Sequence, residues 1–455
     1  AASTDWNDAG NWNTTGETDR VPTSADDVII PNTSSLNNPT LSATGGNPKN
    51  VNSLEIQANG TIVGGGIAIR AYGENSNGYA VDNDGIIDGG STLHLIIKTD
   101  TTTALDLNGT SGSFTNVEID HASCVAQLAE NASILGTLTV TLGEFDTASN
   151  RDLTVTGDVS VTGTLTGNAS AISMGSLTIA SGGTYSATSG TTTITSESGA
   201  GYAANVDGTF THNNGTLTIT TPASTFMSPI TPYNLIINHS SANVRYTGSS
   251  STTMTIANDL TITAGIFDPD DGDENLTVTG DVSVTGTLGA SNVTSAMTFG
   301  SLTIASGGTY SATSGTTTLK SETSGGSTYV NDGTFTHNNG TLLLHADIPD
   351  TQVYAGSSSL YNVTSSTGNN VWLKENITIA NDLTITSGTF GSGGGNDKEV
   401  TVHGNVFISG GEFGNGSETG AYTVKGLVTL TGGTFDLSSG TINLGGIRNA
   451  GGTIS

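Results

Sequence analysis

One cysteine, Cys124, is all that the chain has, so no disulfide can form within it. Basic residues are nearly as scarce. Lys and Arg number 11 against 40 Asp and Glu, for a formal net charge of −29. A surface this acidic repels phosphate backbones and anionic lipid headgroups, which excludes nucleic acid and membrane surfaces as partners. Charged residues of both signs make up only 11% of the chain, against about 25% in ordinary globular proteins. Aromatic residues make up 5%, too few for a large conventional core. No segment approaches the roughly 18 consecutive apolar residues that a membrane-spanning helix needs. No stretch sustains a 3.6-residue apolar period, so almost no helix is expected. The start, Ala1-Ala-Ser-Thr, has the look of a mature end left by signal-peptide cleavage. Together with the scarcity of Lys and the many Asn-X-Ser/Thr triplets, it suggests a secreted protein placed outside the cell or on its surface, with glycans as modifications or partners.

What the chain does have is Gly, Thr, Ser and repetition. Gly numbers 63. The phrase Val206-Asp-Gly-Thr-Phe-Thr-His-Asn-Asn-Gly-Thr-Leu217 returns at Asn331–Leu342, with looser copies around Gly85 and Gly452. The four equivalent glycines, Gly85, Gly208, Gly333 and Gly452, stand 123, 125 and 119 residues apart (85 to 208 to 333 to 452). Shorter units lie inside that period. Leu138-Thr-Val-Thr-Leu-Gly-Glu-Phe145 recurs at Leu260–Phe267 and Leu383–Phe390, and Leu153-Thr-Val-Thr-Gly-Asp-Val-Ser-Val161 recurs at Leu276–Val284. Five units in roughly 123 residues give coils of about 25 residues, within the range of solenoid repeats. Each unit alternates apolar and polar with period 2, as a half-buried strand does.

These patterns predict an all-β parallel β-helix, a β-solenoid, rather than a string of sandwiches joined by linkers. The solenoid is expected over 53–455, in repeats near 53–175, 176–300, 301–425 and a partial 426–455. Residues 1–52 are expected to cap it or to dock. Phe145, Phe267 and Phe390 are expected to share one inward position along the stack, Tyr185, Tyr310 and Phe435 a second, and Phe210 and Phe335 a third.

Trp6-x5-Trp12, then Pro22-x3-Asp26-Asp-Val-x-Ile-Pro31, then coils of the Leu-Thr-Val-Thr-Gly type, resemble the repetitive β-helical surface proteins that bacteria secrete, including adhesins similar to filamentous haemagglutinin. That resemblance covers most of the chain. It implies a right-handed parallel β-helix displayed outside the cell and no particular catalytic activity.

Candidate sites are few. Asp268, Asp270, Asp271, Asp273 and Glu274 form the densest charge cluster. Oxygen-rich loops with a Gly turn hold Ca²⁺, although the spacing is not that of an EF-hand; the plainer reading is a solvated loop with no cofactor. His212 and His337 recur in identical contexts, as surface ladders do, and no convergent acid–base pair is legible, so no enzyme is expected. Arrays such as Thr154-Val-Thr156 suit an ice-ordering face, but also any strand surface. Cys124 reads as a small buried residue. Assembly is the function that the repeats favour: a structural subunit of an extracellular filament, sheath or surface layer. The expected partner is a second copy, added head-to-tail. Trp6, Trp12 and Val28, Ile29 and Ile30 of one copy would meet Asn449, Gly451, Gly452, Thr453 and Ile454 of the next. The alternative is a monomeric adhesin that binds glycans or another cell.

Overall fold

A computed structural model describes residues 4–15, 18–32, 38–42, 47–88, 92–247, 253–269, 274–289, 294–345, 350–393, 397–416, 419–436 and 440–455. The chain divides into two compact units, Ala1–Thr221 and Pro222–Ser455. Each is a parallel β-solenoid. Ala9–Asn11, a single 3-10 turn, is the one helical element among the described residues.

The period-2 alternation explains the strands. In the first unit Leu153–Val155 and Val159–Val161 are each buried at both ends, with the middle Thr or Ser turned outward. Three such short strands make one turn, and each pairs in parallel with the strand one turn on. Parallel strands stacked this way bring every inward side chain over its equivalent. One inward column of the first unit runs Lys49, Ile69, Leu95, Val117, Leu138, Val159, Leu177 and Ala204. A neighbouring outward row runs Thr154, Ser173, Thr193 and Thr218.

The aromatic residues named from the repeats are inward, but their grouping differs from the sequence expectation. In the first unit Phe145, Leu165, Tyr185 and Phe210 lie in one column. In the second unit Phe267, Leu288, Tyr310 and Phe335 repeat it. Residues expected in separate sets are thus successive rungs of one ladder. A further column in the second unit runs Thr351, Val371, Phe390, Phe413, Phe435 and Ile454.

Phe267 and Phe390 do not share a face. The face beside that of Phe267 carries Leu260, Val282, Leu302, Tyr329, Val353 and Leu373 in register. Phe390 stacks on Val371, which lies on the same strand, Asn362–Leu373, as Leu373. The reason is turn length. Five steps from Leu260 to Leu373 cover 113 residues (260 to 373), so one turn takes about 23 residues, and single steps vary from 18 (Val159 to Leu177) to 27 (Leu177 to Ala204). About 123 residues then hold a non-integral number of turns, and equivalent residues return on a different face. The expected five coils of about 25 residues are corrected accordingly.

Some strands turn a corner without ending. Leu138–Asp146 and Leu383–Gly391 each pair with two different strands on successive faces. The corner glycines Gly143 and Gly388 have φ of 76° and 70°. A Cβ at Gly143 would stand 2.6 Å from the carbonyl oxygen of Cys124, so the bend requires glycine there.

Asp27–Ile30 pairs in parallel with Ser53–Ile56 and so forms part of the first turn. Trp6 is hydrogen-bonded to the same turn through its N–H and the carbonyl of Thr40, at 3.0 Å.

Candidate functional site

Near the first turn, the side chains named from sequence are brought together within their own unit. The Trp6 ring is buried and meets Trp12 edge-on, with centroids 4.6 Å apart. The Trp12 indole N–H donates to the Trp6 carbonyl at 2.7 Å. Val28 and Ile30 are buried in the core, while Ile29 points outward and is 49% exposed. Arg20 forks onto both oxygens of Asp26 at 2.5 and 2.6 Å and holds that carboxyl well below its usual range. Among the described residues, Asp27–Ile30 has a strand partner on one edge only. What this region presents is therefore a backbone edge and Ile29 rather than free tryptophan rings.

The last described turn is built differently. Ile442–Asn449 pairs with Tyr422–Leu430, and Thr453–Ile454 with Thr434–Phe435, each on one edge among the described residues. Its column positions are uncovered. Ile442 and Leu444 are half-buried, and Ile447 and Ile454 are 43% and 41% exposed. Asn449 closes the final bend: its Oδ1 accepts from the N–H groups of Gly451 and Gly452 at 3.1 and 2.9 Å. Thr453 is exposed beside Ile454.

Of the expected cation loop, Asp270, Asp271 and Asp273 lie outside the described residues. Asp268 lies 4.0 Å from the Arg245 guanidinium. Glu274 is buried, its Oε2 has no hydrogen-bond partner among the described residues, and its charge adds to burial in pushing the Tyr246 hydroxyl up to about 12. No group of three or more His, Cys, Asp or Glu able to hold a metal occurs among the described residues.

The repeated histidines shape turns. His212 and His337 each accept, through Nδ1, the backbone N–H two residues on, at 3.0 Å. The Asn pairs that follow, Asn213-Asn214 and Asn338-Asn339, have positive φ, which Asn tolerates better than most residues. Asn213 also donates to the carbonyl of Ala187 at 2.7 Å, one turn back. The phrase Thr-His-Asn-Asn-Gly is therefore a corner built from side-chain hydrogen bonds. The His337 ring stacks on Tyr361, 5.2 Å away, beside a shallow cavity lined by Thr341, Leu342 and Asn362. Cys124 is buried and 3.3 Å from the Thr99 hydroxyl, and burial pushes its thiol up.

Sequence reasoning missed two features. One is an acidic row in the first unit. Glu55 pairs with Asp82, Asp106 follows one turn on with its N–H on the Val81 carbonyl, and Glu130 adjoins Ala129, the residue at the next rung. Burial, then the charges of Glu130, Asp82 and Asp84, pushes Asp106 up to about 7, against the bond from the Asn108 N–H, which lowers it. The signal was the one-turn spacing of Glu55, Asp82 and Asp106, which the assumed 25-residue coils obscured. The other is Lys49, 4% exposed at an inward position; the alternation of Lys49-Asn50-Val51 would have shown it.

Compared with known proteins, the chain matches no family model, no curated protein and no solved structure.

Proposed function

We propose that the protein is a secreted, non-enzymatic structural subunit that builds an extracellular filament, sheath or surface layer by head-to-tail addition of copies. One observation supports this reading: among the described residues, Ile442–Asn449 and Thr453–Ile454 are paired on one edge, and Ile447 and Ile454 stand 43% and 41% exposed. Unpaired N–H and C=O groups beside exposed apolar side chains are a template for a further strand. The edge of Asp27–Ile30, paired on one side among the described residues, supplies a parallel strand of matching kind in another copy. Contact between two different surfaces propagates unless its geometry closes a ring. The turn-building role of His212 and His337 supports a structural protein, because their ring nitrogens serve the backbone.

The stacked His337–Tyr361 pair beside its cavity supports a second reading, a monomeric adhesin that takes a sugar ring on that aromatic face. Negative-stain micrographs of the purified chain separate the two. Regular filaments or sheets support assembly. Single particles at every concentration, together with saturable binding on a glycan array, overturn it in favour of the adhesin.

A further inference from the structure

The column that runs from Lys49 to Ala204 is apolar in every position but its first. An ammonium at a core position costs folding energy unless it is paired or used. The Lys49 Nζ donates to the Asn7 side-chain Oδ1 at 2.9 Å, so the amine sits against the amide group of a residue 42 positions away. The other end of that amide is also held. Asn7 Nδ2 donates to Asp5 Oδ1 at 2.9 Å and to Ser42 Oγ at 3.3 Å. The Asn7 backbone N–H and the Ser42 hydroxyl donate to the same Asp5 oxygen, at 3.0 and 3.3 Å. An amine, a carboxamide and a carboxylate are thus lined up, the amine on a lysine residue that is 4% exposed as a whole.

We propose that Lys49 and Asn7 become joined by an isopeptide bond, formed autocatalytically with Asp5 as the acid–base group. Asp5 takes a proton from the Lys49 ammonium, which leaves a neutral amine and a carboxylic acid. Burial lowers the affinity of the amine for that proton. The Nζ lone pair attacks Cγ of Asn7, and the carbonyl electron pair moves onto Oδ1. Asp5 gives its proton to Nδ2. The Cγ–Nδ2 bond breaks as the carbonyl re-forms, and ammonia leaves. Asp5 takes the surplus proton from Nζ and passes it to the departing ammonia. One C–N bond forms, one breaks, and the sum is an amide plus an ammonium ion, with no oxidant or reductant. Holding amine and amide in contact supplies the proximity that such a slow reaction needs. The link would tie the Trp6 segment to the first turn and close a long loop, which removes entropy from the unfolded chain as a disulfide does. A chain with a single cysteine has no disulfide to serve that end.

The test is mass spectrometry of the purified full-length chain, intact and after proteolysis. The expected result is an intact mass below the sequence mass by one ammonia, with Asn7 and Lys49 recovered in one branched peptide. Lys49→Arg keeps the charge but cannot form the link, and Asp5→Asn removes the acid–base group; each should show its full sequence mass. Separate, unmodified peptides carrying Asn7 and Lys49 from the wild-type chain would overturn the proposal and leave Lys49 as a buried hydrogen-bonded ammonium. Loss of ammonia traced instead to an Asn-Gly step, with no branched peptide, would overturn it equally. A branched peptide that persists in Asp5→Asn would overturn the role given to Asp5.

Discussion

Phe413 and Ile454 stand in one column, with Phe435 between them, and their surroundings are opposite. Phe413 is fully buried, stacks on Phe435 at 5.5 Å and meets Tyr422 edge-on at 5.0 Å. Ile454, at the same kind of position, is 41% exposed. In a solenoid the worth of a position depends on the turn stacked over it as much as on the residue. An inward side chain in the middle of the ladder has neighbours on both sides, and one in the last described turn has them on one side. The same apolar chemistry is then enclosed in one place and open to water in the other.

Phe413→Asp should give the largest effect. It puts a carboxylate into a closed apolar column and should cost more than about 4 kcal/mol, enough to unfold much of the second unit. Circular dichroism melts check this; a variant that melts like wild type would break the comparison at its buried end. Trp6→Ala tests whether the first turn is closed rather than open. Loss of a buried indole that packs on Trp12 should cost about 3 kcal/mol by the same assay.

The acidic row sharpens the comparison, because it is a half-buried, outward feature that favours low pH. The folded state raises Asp106 to about 7, well above the ordinary carboxylate range. A group raised in this way contributes stability at low pH and loses it as pH rises through the folded value. The loss begins as the unfolded carboxyl ionises near pH 4 and is complete above pH 7, so wild type should melt higher near pH 5 than near pH 8 as far as this residue contributes, and Asp106→Asn should gain about 1–2 kcal/mol near pH 8 and distinctly less near pH 5. A variant whose gain is equal at both pH values would contradict the assigned cause. Ile454→Asp should be the smallest change for the isolated chain, within about 0.5 kcal/mol, because water already reaches that side chain. A large loss of thermal stability would show that Ile454 is enclosed after all.

The sequence made the solenoid legible because its period-2 alternation survives in nearly every unit, and Leu153–Val155 or Leu177–Ile179 can be placed inward from that alone. The assignment of columns was less legible. Copies that look identical on the page, such as Phe267 and Phe390, fall on different faces, because bends and corner strands change the length of each turn by several residues. Residues that look unlike, such as Leu165 and Tyr185, are neighbours for the same reason. The candidate surfaces were legible as segments but not as exposures. Trp6 and Ile29 were equal candidates in sequence, and only packing separates a buried ring from a side chain that faces water. Lys49 escaped notice because a lone basic residue in an acidic chain reads as surface until its strand is given a register.

Sedimentation velocity of the full chain across a concentration series, with Ile454→Asp run alongside, tests the central claim most directly. The account predicts that the wild-type chain moves from a single slow species to long, growing polymers as concentration rises, and that Ile454→Asp keeps its fold but stays at the slow species. A wild-type chain that remains one slow species at every concentration, or a variant that polymerises as readily as wild type, would contradict assembly through this edge.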